Sequence, residues 1–233
     1  MSDKHFAKQI TEVVAYGNKC GSFNLVNTTD TWEGQKMKID DREMINLGTC
    51  GYLGLETDRR LIERSREYAD KFGTQFSVGR PFMMSNLLTN LESQLQKVFD
   101  GHLPLVYSST SLAHTSVMPM IIRPKDAILY DKQVHFSVFV STQLIPYKVP
   151  MHRIEHSNMN MLEDQIKALK DNHKKIWFLS DGVFSMFGDI LLVDALNELM
   201  TKYEQLHIYI DDAHGMAWAG TVSYTHLTLP TKA

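Results

Sequence analysis

His207-Ile208-Tyr209-Ile210-Asp211-Asp212-Ala213-His214-Gly215 is the stretch of this 233-residue chain whose reading decides the fold. Apolar bulk dominates as far as Ile210 and then gives way to two acids, a histidine and a glycine. Such a run reads as a buried strand that delivers polar groups at its carboxyl end, where open α/β sheets meet their ligands. Upstream, Ile45-Asn46-Leu47, Leu105-Val106-Tyr107, Ala127-Ile128-Leu129-Tyr130 and Lys175-Ile176-Trp177-Phe178-Leu179 repeat the strand signal. Helical patterns near 58–72, 86–99, 111–121, 135–143, 158–170 and 192–204 lie between them, with Thr57-Asp58 and Ser157-Asn158 as capping starts. The alternation predicts an α/β fold, a mostly parallel sheet with helices on both faces. A further helix is expected near Phe6–Tyr16.

Composition narrows the function classes. A hydrophobic share of 43% and a charged share of 22% are ordinary for a soluble globular protein. A formal net charge of −3 gives no electrostatic case for nucleic acid or an anionic membrane. No run approaches the ~20 apolar residues that span a bilayer, and the polar start Met1-Ser2-Asp3-Lys4 is not a signal peptide. Two cysteines, Cys20 and Cys50, suit a reducing cytoplasm, where we expect the protein. The expected organisation is an amino-terminal segment over 1–43, a partial large domain over 44–220, and a non-native tail over 221–233. That tail, Thr221 to Ala233, has no helical period and resembles the translation of a sequencing-library adapter. The native protein is therefore expected to continue past Gly220.

Four clusters of chemistry-bearing residues fall at the expected strand ends. Ser109, Thr110 and Ser111 open a helix, where hydroxyls and free amides can cup a phosphate; an ordinary Ser/Thr cap has the same composition. His135, just past Ala127–Tyr130, can stack on an aromatic ring or serve as a structural histidine. Gly182-Val183-Phe184-Ser185-Met186-Phe187-Gly188-Asp189 reads as a tight loop in which Ser185 can bond a phenolic oxygen, with Asp181 orienting its neighbours. Asp211 can hold a pyridinium nitrogen protonated, the requirement of pyridoxal phosphate (PLP) as an electron sink, and His214 can reach the ring's 3-oxygen. Paired acids at a sheet edge can also bind magnesium. Read beside the other three clusters, Asp211 forms one wall of a cofactor pocket, and no metal is assigned.

The order and separation of two of these stretches, Gly182–Asp189 and Asp211–Gly215, resemble the α-oxoamine synthases, PLP-dependent enzymes of fold type I. Gly51-Tyr52-Leu53-Gly54-Leu55, Lys71-Phe72-Gly73-Thr74 and Val134-His135-Phe136-Ser137 extend the resemblance over roughly residues 44–220. It implies a transferase of biosynthesis that condenses an amino acid with an acyl thioester, on coenzyme A or an acyl carrier protein, and decarboxylates to an α-amino ketone. It also implies a homodimer when full length, with no nucleic-acid or membrane partner. His135 would stack on the cofactor ring and Asp211 would bind its nitrogen. His214 and Ser185 would meet the 3-oxygen, so that His135 and His214 are the catalytic candidates. Ser109, Thr110 and Ser111 would hold the phosphate, and Arg80 would face substrate. A lysine-less dimer partner and a PLP-dependent aminotransferase are the alternatives.

The chain departs from the family pattern at several points. Thr110 and Ser111 stand where a glycine and an aromatic residue are usual. The glycine-rich stretch after Phe-Gly-Thr is bulkier here, Gln75 to Arg80, and Asn158 replaces a frequent aspartate. The family's Schiff-base lysine falls about 30 residues past the histidine matched by His214, and Lys232 is the sole lysine after that residue. The fragment as given is therefore expected to be inactive.

Overall fold

The computed structural model describes residues 3–31, 34–40, 42–75, 79–99 and 101–216. The chain divides into two compact units, Met1–Ser77 and Val78–Ala233. In the first unit, helix α1 (Asp3–Lys19) precedes an antiparallel pair, β1 (Lys36–Ile39) and β2 (Arg42–Ile45), and helix α2 (Arg59–Phe72) follows. Asp58 caps α2 by accepting from the Arg60 amide at 2.8 Å, as the capping chemistry predicts. The expected boundary after residue 43 would cut β2, whose Met44 pairs with Met37.

The second unit holds helices α3 (Asn86–Val98), α4 (Thr110–Ile121), α5 (Phe136–Ser141), α6 (Met159–Leu169) and α7 (Val193–Lys202). Strands β3 (Ala127–Asp131), β4 (Met151–Ile154), β5 (Ile176–Asp181) and β6 (Leu206–Asp211) form a parallel sheet of order β4-β3-β5-β6. Side-chain alternation along these strands divides the core in two. Leu129, Ile176, Phe178 and Leu206 face one way and pack with Leu162 and Ile166 of α6 and Leu196, Leu199 and Met200 of α7. Ile128 and Leu179 face the other way, against Met118 of α4 and Val138 of α5, with Trp177 and Tyr209 at the margin. Helices therefore cover both faces of the sheet, as expected.

Two strand expectations need correction. Residues 105–107 form no strand, because the Val106 amide donates to the Glu92 carboxylate at 3.2 Å and its carbonyl accepts from Arg80. Side chains thus satisfy the backbone groups that a ladder would have used. Around residue 45 the strand lies earlier, ending at Ile45, because β1 supplies partners only for Arg42–Ile45. β1 and β4 were not anticipated; His152 and Arg153 of β4 are exposed and interrupt any apolar signal. The stretch 221–233 lies outside the described residues, and among the described residues no helix is long and apolar enough to cross a membrane.

Candidate functional site

The carboxyl ends of three adjacent parallel strands each carry a buried aspartate: Asp131 on β3, Asp181 on β5 and Asp211 on β6. Strand parity places them on opposite faces. Asp181 and Asp211 are register partners on the α4–α5 side, whereas Asp131 follows Leu129 to the α6–α7 side.

On the α4–α5 side, Asp211 is 6% exposed and both its carboxylate oxygens are engaged. Oδ1 accepts from the Ala213 amide at 3.0 Å, and Oδ2 lies 2.9 Å from His114 Nε2. Burial alone would favour the neutral acid. The His114 and Ala213 hydrogen bonds outweigh it and hold the carboxyl below its ordinary range, so Asp211 stays ionised. Asp181 goes the other way. Burial, and then the charges of Asp211 and Asp131, push it up to about 7 against the hydrogen bond it accepts from the His135 amide at 2.9 Å. Two neighbouring acids thus divide their roles, one kept charged and one poised near neutrality. That amide contact ties the His135 backbone to the strand end. The exposed His135 ring caps α5, with Nδ1 2.7 Å from Ser137 Oγ and accepting from the Ser137 amide.

Helix α4 links this acid to the hydroxyl cluster. It runs back along the sheet before β3, so its amino terminus lies at the same carboxyl edge as Asp211. Ser109 caps it by accepting from the Leu112 amide at 3.1 Å, and the Thr110 and Ser111 amides stand in the unpaired first turn. From that turn to His114 the helix rises about 6 Å. Ser109 thus meets the Ser/Thr-cap reading, and the first-turn amides are left without an intrahelical partner.

On the α6–α7 side, His156 Nδ1 lies 2.9 Å from Asp131 Oδ1, and His156 Nε2 bonds Asp189 Oδ2. Asp131 also accepts from the Gln133 amide at 2.8 Å and the Ser157 amide at 2.9 Å. This clamp fastens the loop that carries Ser185. Within it Phe184 is buried, its amide bonds the Asp189 carbonyl, and Gly188 adopts φ +73°, which leaves Ser185, Met186 and Phe187 exposed at the tip. His214 lies half-buried in the turn after Asp211, where the Gly215 and Met216 amides bond the Asp212 carbonyl. Arg80 lies elsewhere: its guanidinium pairs with Glu92 of α3 and donates to the Val106 carbonyl at 3.2 Å.

The structure therefore bonds Asp211 to His114 of α4, and the His135 backbone to Asp181, the register partner of Asp211. Ser185 and Arg80 belong to other local networks. Sequence reading missed His114 and His156 as contacts of the strand-end acids. His114 lies beyond the hydroxyl cluster that opens its helix and carries no motif of its own, and His156 follows a strand that was not anticipated. A cavity of about 710 Å³ lined by Arg123, Lys174 and Trp177 lies at the opposite, amino-terminal edge of the sheet, away from this chemistry.

Residues 42–229 match the family model described as aminotransferase class I and II. The chain is 32% identical over 184 residues to an 8-amino-7-oxononanoate synthase of Coprothermobacter proteolyticus, covering 78% of this chain and 46% of that protein. It is 30% identical over 217 residues to the enzyme of the same name from Thermosipho melanesiensis, covering 93% and 54%. The chain thus spans about half the length of the curated relatives it matches. A serine palmitoyltransferase from S. paucimobilis, solved with a PLP–myriocin adduct bound, shares the fold at a TM-score of 0.79 and 20% identity. That match covers 94% of this chain and 57% of that one. These relatives bear out the resemblance to α-oxoamine synthases.

Proposed function

The chain belongs to the aminotransferase class I and II family, and from that premise we propose that it forms the cofactor-binding part of a PLP-dependent acyltransferase. The whole protein would condense an amino acid with an acyl thioester and decarboxylate the product to an α-amino ketone. One observation carries this reading: a buried carboxylate, Asp211, is kept ionised at a strand end by His114, one turn inside a helix whose amino-terminal amides are open. A PLP ring presents complementary groups, a protonated nitrogen at one end and a phosphate dianion at the other. The donor set fits both.

In this reading the Thr110 and Ser111 amides, with the Ser109–Ser111 hydroxyls, bind the phosphate. Asp211 holds the proton on the ring nitrogen, in surroundings where bulk water screens the pair weakly. When bound, the cofactor supplies an electron sink for a carbanion at the amino acid's α-carbon. The exposed His135 ring covers one face of the cofactor, and Ser185 and His214 hydrogen-bond the 3-oxygen. Arg80 would face substrate. The whole protein is proposed to act as a homodimer in the cytoplasm.

The relatives' names support the acyltransferase chemistry. The test is product analysis on the full-length protein with an acyl-CoA and a carboxyl-labelled amino acid. Release of labelled carbon dioxide together with free thiol is expected. Amino-group transfer to a 2-oxo acid with neither product would refute the reading in favour of an aminotransferase.

A further inference from the structure

Asp211 can bind a ring nitrogen productively only if its carboxylate plane is fixed, and the Ala213 amide fixes one oxygen alone. We infer that His114, anchored by Tyr209, is the positioning residue that sets the orientation of Asp211 toward the cofactor's ring nitrogen. The inference rests on the cofactor reading above and adds to it a side-chain relay.

The relay follows from donor and acceptor chemistry. An ionised carboxylate only accepts, so His114 Nε2, 2.9 Å from Asp211 Oδ2, must carry the hydrogen. In the neutral ring the other nitrogen, Nδ1, then accepts, and its partner 2.7 Å away is the Tyr209 hydroxyl. Burial, followed by the nearby charge of Asp211, raises the Tyr209 phenol to about 12, so it keeps its proton and donates. With a neutral imidazole, hydrogen bonds run in one sense, from Tyr209 to His114 to Asp211. Tyr209 and Asp211 stand two residues apart on β6 and share a face. The rings of His114 and Tyr209 meet edge-on, centroids 5.7 Å apart at 64°.

Both side chains of the His114–Asp211 pair are at most 5% exposed, so water offers no ready substitute for the imidazole. Each Asp211 oxygen receives one protein donor and retains a second acceptor direction. The relay also keys α4 to β6. Because His114 lies one helical turn from Thr110, it sets the spacing between the phosphate cup and the acid as well as the carboxylate's rotation.

The probe is PLP labelled with ¹⁵N at its ring nitrogen, bound to the chain and read by NMR, since the nitrogen shift separates protonated from unprotonated ring. The unmodified chain should show the protonated signature. His114→Leu should move the shift toward the unprotonated ring and weaken PLP binding about tenfold, the loss of one charge-assisted hydrogen bond. His114→Gln, whose amide can donate from a similar position, should restore the protonated signature, and Tyr209→Phe should fall between. If His114→Leu fails to fold, Tyr209→Phe decides: an intermediate shift supports the relay and an unchanged one refutes it. Normal shift and affinity in both His114→Leu and Tyr209→Phe would overturn the positioning role while leaving the cofactor reading intact. Absence of PLP binding by the unmodified chain, or binding unaffected in Asp211→Ala, would overturn the cofactor reading itself.

Discussion

Replacing His156 with phenylalanine should destabilise the second unit by an amount that depends on pH. The substitution preserves ring volume against Phe184, whose ring meets His156 edge-on with centroids 4.5 Å apart. It removes the hydrogen bonds to Asp131 and Asp189. The Asp131 side chain is 2% exposed, so its bond is charge-assisted and dry, worth about 1.5–3 kcal/mol. The Asp189 side chain is 42% exposed, and solvent screening limits that contact to about 0.5–1 kcal/mol. Asp131 keeps its bonds to the Gln133 and Ser157 amides, so no orphaned charge adds to the cost. The expected loss at pH 6 is about 2–4 kcal/mol on this reckoning.

The sign with pH follows from linkage. Burial opposes charge on His156, but the bonds to Asp131 and Asp189 outweigh it and raise the imidazole above its ordinary 6.5. A histidine raised in the folded state contributes its stability in full below the unfolded value and loses it as pH climbs through the folded one. The gap between the unmodified chain and His156→Phe should therefore be widest near pH 5.5 and shrink steadily above neutrality. Urea unfolding followed by circular dichroism at pH 5.5, 7 and 9 measures it. A gap that stays constant, or widens with pH, would refute the reasoning.

Two further outcomes are expected. Asp181, raised to about 7 by burial and its neighbouring acids, binds a proton that the unfolded chain has already released, so it withdraws stability as pH rises from about 4 to 7. Asp181→Asn should gain on the unmodified chain between pH 5 and pH 8 in the same urea assay, and carboxyl NMR of the unmodified chain should show a midpoint near 7. Gly188→Ala should cost about 1–2 kcal/mol, since φ +73° is a left-handed conformation and no neighbouring atom lies close enough to add a clash. Thermal unfolding checks it, and an unchanged midpoint would show that the loop relaxes.

Periodicity and caps were enough to read the frame of the second unit. β3 and β5 carry apolar runs because both their faces are covered, and α6 is capped by Asn158, whose side chain accepts from the Met161 amide at 2.9 Å. β4 escaped because His152 and Arg153 are polar and exposed and break its apolar run. The apolar run at 105–107 misled for the opposite reason: its backbone partners are the side chains of Glu92 and Arg80, which no local pattern encodes.

The site divides along the same line. The run from His207 to Gly215 determined by itself that an acid ends a buried strand, because alternation along a strand is a local property of the chain. It also placed Tyr209 and Asp211 on one face. What that face meets was decided only by tertiary structure, since His114 lies 97 residues away on a helix whose docking depends on the packing of Met118 and Ile122. That contact and the Ala213 amide outweigh burial and keep Asp211 ionised, while Asp181, equally an aspartate at a strand end, is raised to about 7. The sequence names the same residue in both places; the surroundings that make one a charge and the other a proton store exist only once the sheet is assembled.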